Sequence, residues 1–178
     1  MAKGSYSQNP ICDDIPASLA REVGRIIVKW ASFENRLQML IWDLIGVDHS
    51  VGRIAIREPR IDDRLMMFHQ LTVLKGAKPN EAVFKQVVTS AKAVERLRDL
   101  LAHSPWVKRG KEFRVISYKG NLPDQTIKHR SRRISPEGMS VSVEGLQKIV
   151  TTIDGLIAFT RASRRDLEKL LPSLRKSP

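Results

Sequence analysis

The run between Pro16 and Gly46 constrains this chain more than any other feature. Within it Leu19, Val23, Ile26, Ile27, Trp30, Phe33, Leu37, Leu40, Ile41 and Leu44 recur at three- and four-residue steps. That spacing lines up one face of an α-helix. Pro16 suits a first-turn position and Gly46 a stop, so the helix has both of its ends written in. An apolar face this long and broad has to be covered by several other helices, which commits the chain to a mainly α fold.

The helices that follow are read from breakers and caps. After Asp48 and Ser50 a short helix spans about 51–57 and is ended by Pro59. Asp62 is expected to cap the next, about 63–75, with Leu65, Met66, Phe68, Leu71, Val73 and Leu74 apolar and Gly76 and Pro79 closing it. Asn80 is a natural N-cap for a fourth helix, with Glu81 complementing the helix dipole. That helix has to stop near His103, because Pro105 pushes Ser104 out of helical geometry. A long closing helix, about 142–171, buries Leu146, Ile149, Val150, Ile153, Leu156, Ile157, Phe159 and Leu167.

Between the last two helices the pattern changes. Phe113, Val115, Ile116 and Tyr118 favour a strand over Lys111–Tyr118, Gly120-Asn121-Leu122-Pro123 a turn, and about 125–134 a return strand. The expected plan is therefore a bundle of about five helices, residues 15–171, with a basic β-hairpin inserted at 105–135. Residues 1–14 read as a loose arm and 172–178 as a polar tail.

Charge bears on partners at this point. The chain carries 31 Lys and Arg against 19 Asp and Glu, a formal net charge of +12. Residues 105–135 hold nine of those cations: Lys108, Arg109, Lys111, Arg114, Lys119, Lys128, Arg130, Arg132 and Arg133. Against them stand Glu112 and Asp124. Strand pairing is expected to join Lys111 and Arg114 to the Lys128–Arg133 run as one patch able to follow a phosphate backbone. Trp106, Phe113, Tyr118 and His129 are candidates for stacking on bases. An acidic protein partner, or a charged guard on an edge strand, is the competing reading.

The single cysteine, Cys12, has no partner for a disulfide or thiolate metal site, which fits a reducing compartment. The N-terminus lacks the apolar run of a signal peptide, and no stretch is apolar for long enough to cross a bilayer. The chain is expected to be cytoplasmic and not to use a membrane. His49, His69 and His129 are isolated in sequence, and no cluster has zinc or di-iron spacing. No metal or cofactor is expected. Phosphate-binding and nucleophile-elbow motifs are lacking as well.

The segment Arg98-Asp99-Leu100-Leu101-Ala102-His103 carries the chemistry. Asp99 and His103 are four residues apart and share a helix face. A histidine beside a carboxylate at the negative end of a helix dipole is suited to delivering or accepting a proton. Arg98 is off that face, and the break at Ser104-Pro105 is expected to loosen the last turn so that both groups reach one phosphate. The plainer alternative has Arg98 paired with Glu95, Glu34 or Asp43, and His103 capping carbonyls.

Arg98, the polar Asp99 and His103 after four intervening residues resemble the motif of the HEPN superfamily. The order of helices resembles it over about 15–104 and 142–171, and the basic hairpin lies outside it. Pro105 departs from that family's pattern. The resemblance implies a helical bundle, usually a homodimer, and in many members a metal-independent endoribonuclease found in toxin or defence settings with a protein antitoxin. It further implies that His103 acts as general base or acid, that Arg98 stabilises phosphoryl charge, and that Asp99 holds the imidazole. The implied partner is RNA, and the competing function is a non-catalytic nucleic-acid- or protein-binding module using the hairpin.

Overall fold

The computed structural model describes residues 11–12, 14–55, 59–117 and 137–170. It is mainly helical, with five helices: α1 (Ala17–Ile45), α2 (His49–Ala55), α3 (Ile61–Leu74), α4 (Glu81–His103) and α5 (Val143–Leu170). Three strands lie between α4 and α5: β1 (Trp106–Arg109), β2 (Glu112–Ser117) and β3 (Glu137–Val141).

The long first helix forms as its pattern predicts. Leu19, Ile26, Trp30, Phe33, Leu37, Leu40, Ile41 and Leu44 are buried, and α5, α3 and α4 pack around them. Ile27, expected in the stripe, is 40% exposed. One residue past Ile26 it has turned by about 100°, enough to leave the covered face. Gly46 ends the helix at φ 77°, and its N–H reaches the carbonyls of Trp42 and Asp43. Only glycine takes that left-handed turn without strain.

α2 begins at His49, two residues earlier than expected, because Asp48 caps it. The Asp48 carboxylate accepts from the Ser50 N–H at 2.8 Å, and that bond is the main cause holding its carboxyl below the usual range. Gly52 lies against the Trp42 indole so closely that a Cβ there would fall 2.6 Å from the ring.

At α3 the expected cap is corrected. Arg60 occupies the N-cap position without a side-chain cap bond, and Asp62 lies inside the first turn. Asp62 pairs with Lys92 of α4 at 3.0 Å, which chiefly holds its carboxyl below the usual carboxylate range. A carboxylate favours either position because both lie at the positive end of the helix, so the sequence did not separate them. Ile61, Leu65, Phe68 and Thr72 face the core, while Met66, Val73 and Leu74 are exposed. α4 starts as expected, with the Asn80 side chain accepting from the N–H groups of Ala82 and Val83. α5 covers α1 with Leu146, Val150, Ile153, Leu156, Ile157 and Leu167 buried.

The β region differs from the expected hairpin. β1 and β2 form a tight antiparallel pair turning through Gly110-Lys111, and β3 adds to the far side of β2. β1 and β3 were not foreseen: one is only four residues long and flanked by Pro105, and the other contains Gly138 and has little strand preference of its own. The expected return strand at 125–134 lies outside the described residues. Trp106, Phe113, Val115 and Val141 turn one face of the sheet onto the helical core. The predicted arm is anchored where it is described, since Ile11 bridges Val107 and the Cys12 N–H donates to the Trp106 carbonyl at 2.7 Å. Among the described residues no helix is long and apolar enough to cross a membrane.

Candidate active site

α4 keeps helical geometry through His103, with the Ser104 N–H still donating to the Leu100 carbonyl at 3.1 Å. The last turn therefore does not loosen. Five residues along a regular helix amount to a rotation of about 140°, so Arg98 and His103 leave α4 on different sides. Arg98 lines a cleft of about 850 Å³ formed by α1, α2, α3 and α4. Asp99 and His103 line a neighbouring groove of about 710 Å³ together with Arg60, Lys92, Glu95 and Arg96. Within one chain the structure brings Asp99 and His103 to one groove and leaves Arg98 in the other.

The expected Asp99–His103 pair is absent among the described residues. Asp99 is instead joined to Arg98 at 2.7 Å, and the His103 side chain is exposed. Among the described residues His103 caps no carbonyl of its own helix either; the Leu101 carbonyl accepts from the Trp106 indole at 3.3 Å and the Leu100 carbonyl from the Ser104 N–H.

Arg98 is held from below. Trp30 and Glu34 are four residues apart on α1 and so stack on one face, Trp30 buried and Glu34 at its rim. The Arg98 guanidinium carbon is 6.0 Å from the Trp30 ring centre, and its Nη2 is 3.9 Å from Glu34. Glu34 is also 3.7 Å from Arg64, whose Nε donates to the Pro59 carbonyl at 2.8 Å. Of the pairings considered for Arg98 from sequence, Glu34 is the one formed. Glu95 faces the Ile61 N–H, and Asp43 is engaged elsewhere. The Arg98 Nε is buried without a hydrogen-bond partner among the described residues, a costly arrangement for part of a cation.

His49 is not isolated. Its Nε2 is 3.3 Å from the carboxylate of Asp43, whose side chain is only 6% exposed and which Arg164 approaches at 3.8 Å. His69 likewise meets Glu81 at 2.9 Å and stacks on Phe84. Sequence reading missed the convergence of Arg53, Arg60 and Arg64 with Arg98 in the larger cleft. No local motif signals it, since each comes from a different place in the chain.

The basic patch is only partly described. Lys108, Arg109 and Lys111 are exposed around the β1–β2 turn. Arg114 stands opposite Ser140, and Glu112 and Ser140 engage its guanidinium at 3.5 and 3.1 Å. Lys108 and Arg114 also occupy opposite faces of the sheet, because alternate strand residues point opposite ways. Trp106 and Phe113 are half-buried against the core rather than free to stack, and Lys108 lies over the Phe113 ring. Tyr118, Lys119, Lys128, His129, Arg130, Arg132 and Arg133 lie outside the described residues. Among the described residues no group of three or more His, Cys, Asp or Glu side chains is placed to hold a metal ion.

Compared with known proteins, the chain matches no family model, no curated protein and no solved structure.

Proposed function

We propose that this protein is an RNA-directed, metal-independent endoribonuclease of the HEPN kind, acting as a homodimer. The observation that carries the reading is the setting of His103: an exposed imidazole at the end of α4, in a groove bearing Arg60, Lys92 and Arg96. A phosphodiester is drawn to such cations, and a histidine there can exchange a proton with it. RNA supplies its own nucleophile. The ribose 2′-oxygen bonds to the adjacent phosphorus while the bond from phosphorus to the 5′-oxygen breaks. The 2′-hydroxyl proton goes to a base, and the leaving 5′-oxygen takes one from an acid. The products are a 2′,3′-cyclic phosphate and a 5′-hydroxyl. His103 performs one of these transfers, and a guanidinium stabilises the charge gathering on phosphorus. Because Arg98 faces the other cleft of its own chain, a second copy of the chain brings Arg98 and His103 to one phosphate.

The test incubates wild type and His103→Ala with mixed-sequence RNA in EDTA and identifies the product ends. Cleavage by wild type alone, leaving cyclic phosphate, is the expected result. Intact RNA with both proteins, at concentrations where either retards it on a gel, would sink the nuclease. It would leave a binding module whose contacts are the exposed Lys108, Arg109 and Lys111.

A further inference from the structure

The end of the molecule opposite the sheet has a surface character of its own. The sheet sits where α4 ends and where α1 and α5 begin: β1 follows α4, β3 precedes α5, and Ile11 and Cys12, just before α1, pair with β1. The last turns of α1 and α5 and the α3–α4 connection therefore lie at the far end. The 23 residues of α4 set that end about 35 Å from the sheet. The connection is tied down there. The N–H groups of Lys75, Gly76 and Ala77 donate to the carbonyls of Leu71, Val73 and Thr72, and Asn80 caps α4. Behind it the His69 side chain, 15% exposed, pairs with Glu81 at 2.9 Å, its ring centre 4.4 Å from that of Phe84. What this tip exposes is held out by a fixed backbone.

It exposes leucine and valine. Leu74 is 80% and Val73 48% exposed at the end of α3, and Val83 is 47% exposed on the first turn of α4. A solitary exposed leucine is ordinary on a protein surface, but three large aliphatic side chains flanking one turn are not. Set among them are Lys75, Lys78 and Lys85, all exposed, against one carboxylate, Glu81, already joined to His69. Counting the neighbouring helix ends leaves the sign unchanged. Arg161, Arg164, Arg165 and Lys169 near the end of α5 balance Asp166 and Glu168 beside them and Asp43 and Asp48 around the end of α1. The excess of two positive charges stays with the tip.

Shape, size and charge decide the partner. The patch is convex, the end of a helical hairpin with Leu74 standing out from it. A second copy of the chain would bring like charges together. A specific protein interface takes about 800 Å² from each partner, more than three aliphatic side chains supply. A fluid bilayer surface imposes neither limit, since aliphatic side chains enter the acyl boundary while lysine stems carry their charge to the headgroups. We propose that the α3–α4 tip docks on the surface of a membrane bearing anionic phospholipid. Val73, Leu74 and Val83 enter it, and Lys75, Lys78 and Lys85 meet the headgroup phosphates. The expectation from sequence that the chain uses no membrane rested on apolar runs long enough to cross one, a criterion that a small tip escapes. In this pose the sheet and His103 stand at the far end, turned to water.

Flotation of the full chain with vesicles of phosphatidylcholine alone, or of phosphatidylcholine mixed with phosphatidylglycerol, tests this at physiological ionic strength. The protein should rise with the anionic vesicles and not with the neutral ones. Val73→Gln/Leu74→Gln keeps the charge, and Lys75→Gln/Lys78→Gln keeps the aliphatic side chains. Each should lower the partition coefficient by about tenfold or more. Arg21→Gln/Lys148→Gln, an equal charge loss on exposed side chains at the sheet end, should not. In Leu74→Trp, tryptophan emission should move to shorter wavelength on adding anionic vesicles, relative to wild type, which reports insertion of the tip directly. Four results would each overturn the membrane contact: no flotation with anionic vesicles, undiminished flotation of Val73→Gln/Leu74→Gln, equal losses in the two charge variants, or an unshifted Leu74→Trp emission. The first would leave an acidic protein as the occupant of the tip. None of these outcomes depends on RNA cleavage.

Discussion

Replacing Gly52 with alanine sets helix propensity against a collision. Within a helix, alanine is favoured over glycine by about 1 kcal/mol. The added Cβ, however, would lie 2.6 to 2.8 Å from Cδ1, Nε1 and Cδ2 of Trp42. Carbon atoms rest at about 3.5 Å or more, so one partner has to move by roughly 1 Å. Trp42 is only 6% exposed and is flanked by the buried Ile41 and Leu44, so its ring is not free to swing away. α2 is the element that gives way, because it is short and packs chiefly on α1. Overpacking of this kind costs about 1–3 kcal/mol, so the net effect is a loss of about 1 kcal/mol. For a domain of this size that lowers Tm by about 2–4 °C. Gly24, in the middle of α1, has nothing within 4 Å of the place its added methyl group would take, so Gly24→Ala should raise Tm instead. Calorimetry of the two variants, with amide exchange to confirm that loosening is confined to α2, checks the argument. A Tm for Gly52→Ala at or above that of Gly24→Ala would refute it.

Other substitutions probe separate links. Asn80→Ala removes the acceptor for two N–H groups at the start of α4 and should cost about 1 kcal/mol in denaturant unfolding; no loss would dismiss the cap. Asp62 has its carboxyl lowered chiefly by Lys92, so the pair contributes stability above the unfolded carboxyl value of 3.8 that is lost as pH falls through the folded value. The Tm gap between wild type and Lys92→Met should therefore be widest near neutrality and close in acid, whereas a pH-independent gap would show that Lys92 acts through packing. If the β1–β2 turn contacts a single strand through Lys108, Arg109 and Lys111, changing all three to glutamine should flatten the slope of log affinity against log salt by about 0.7 per lost contact. An unchanged slope would place RNA elsewhere.

The helices were legible where a residue both starts or stops a helix and has no rival role. Gly46 ends α1 and Asn80 caps α4 as read, while Pro16 stands one position outside the first turn, as the N-cap of α1. Asp62 was misplaced by two positions because a carboxylate is favourable both as a cap and inside the first turn. β3 was missed because Gly138 and Ser140 carry no strand preference; its pairing with Ile116 and Arg114 comes from the sheet, not from its own composition. For the candidate site, Asp99 and His103 could be placed on one helix, and Glu34 as a partner of Arg98 was within reach. The arginine cleft was not. Arg53, Arg60, Arg64 and Arg98 meet only once three helices have packed on α1, a convergence that neighbour spacing does not encode.

The seam between α4 and the sheet has a mechanical consequence. The indole of Trp106 holds the Leu101 carbonyl, the Pro105 carbonyl holds the Ile116 N–H, and Ser104 completes the last turn of α4. The first two couplings clamp the terminus that carries His103 to the first two strands, and the third keeps the last turn itself closed. The imidazole rides at the end of a stiff lever whose fulcrum is the sheet. A load applied at the Gly110-Lys111 tip, by RNA or by a protein, would be transmitted to His103 as a tilt of the whole last turn, not dissipated in a hinge.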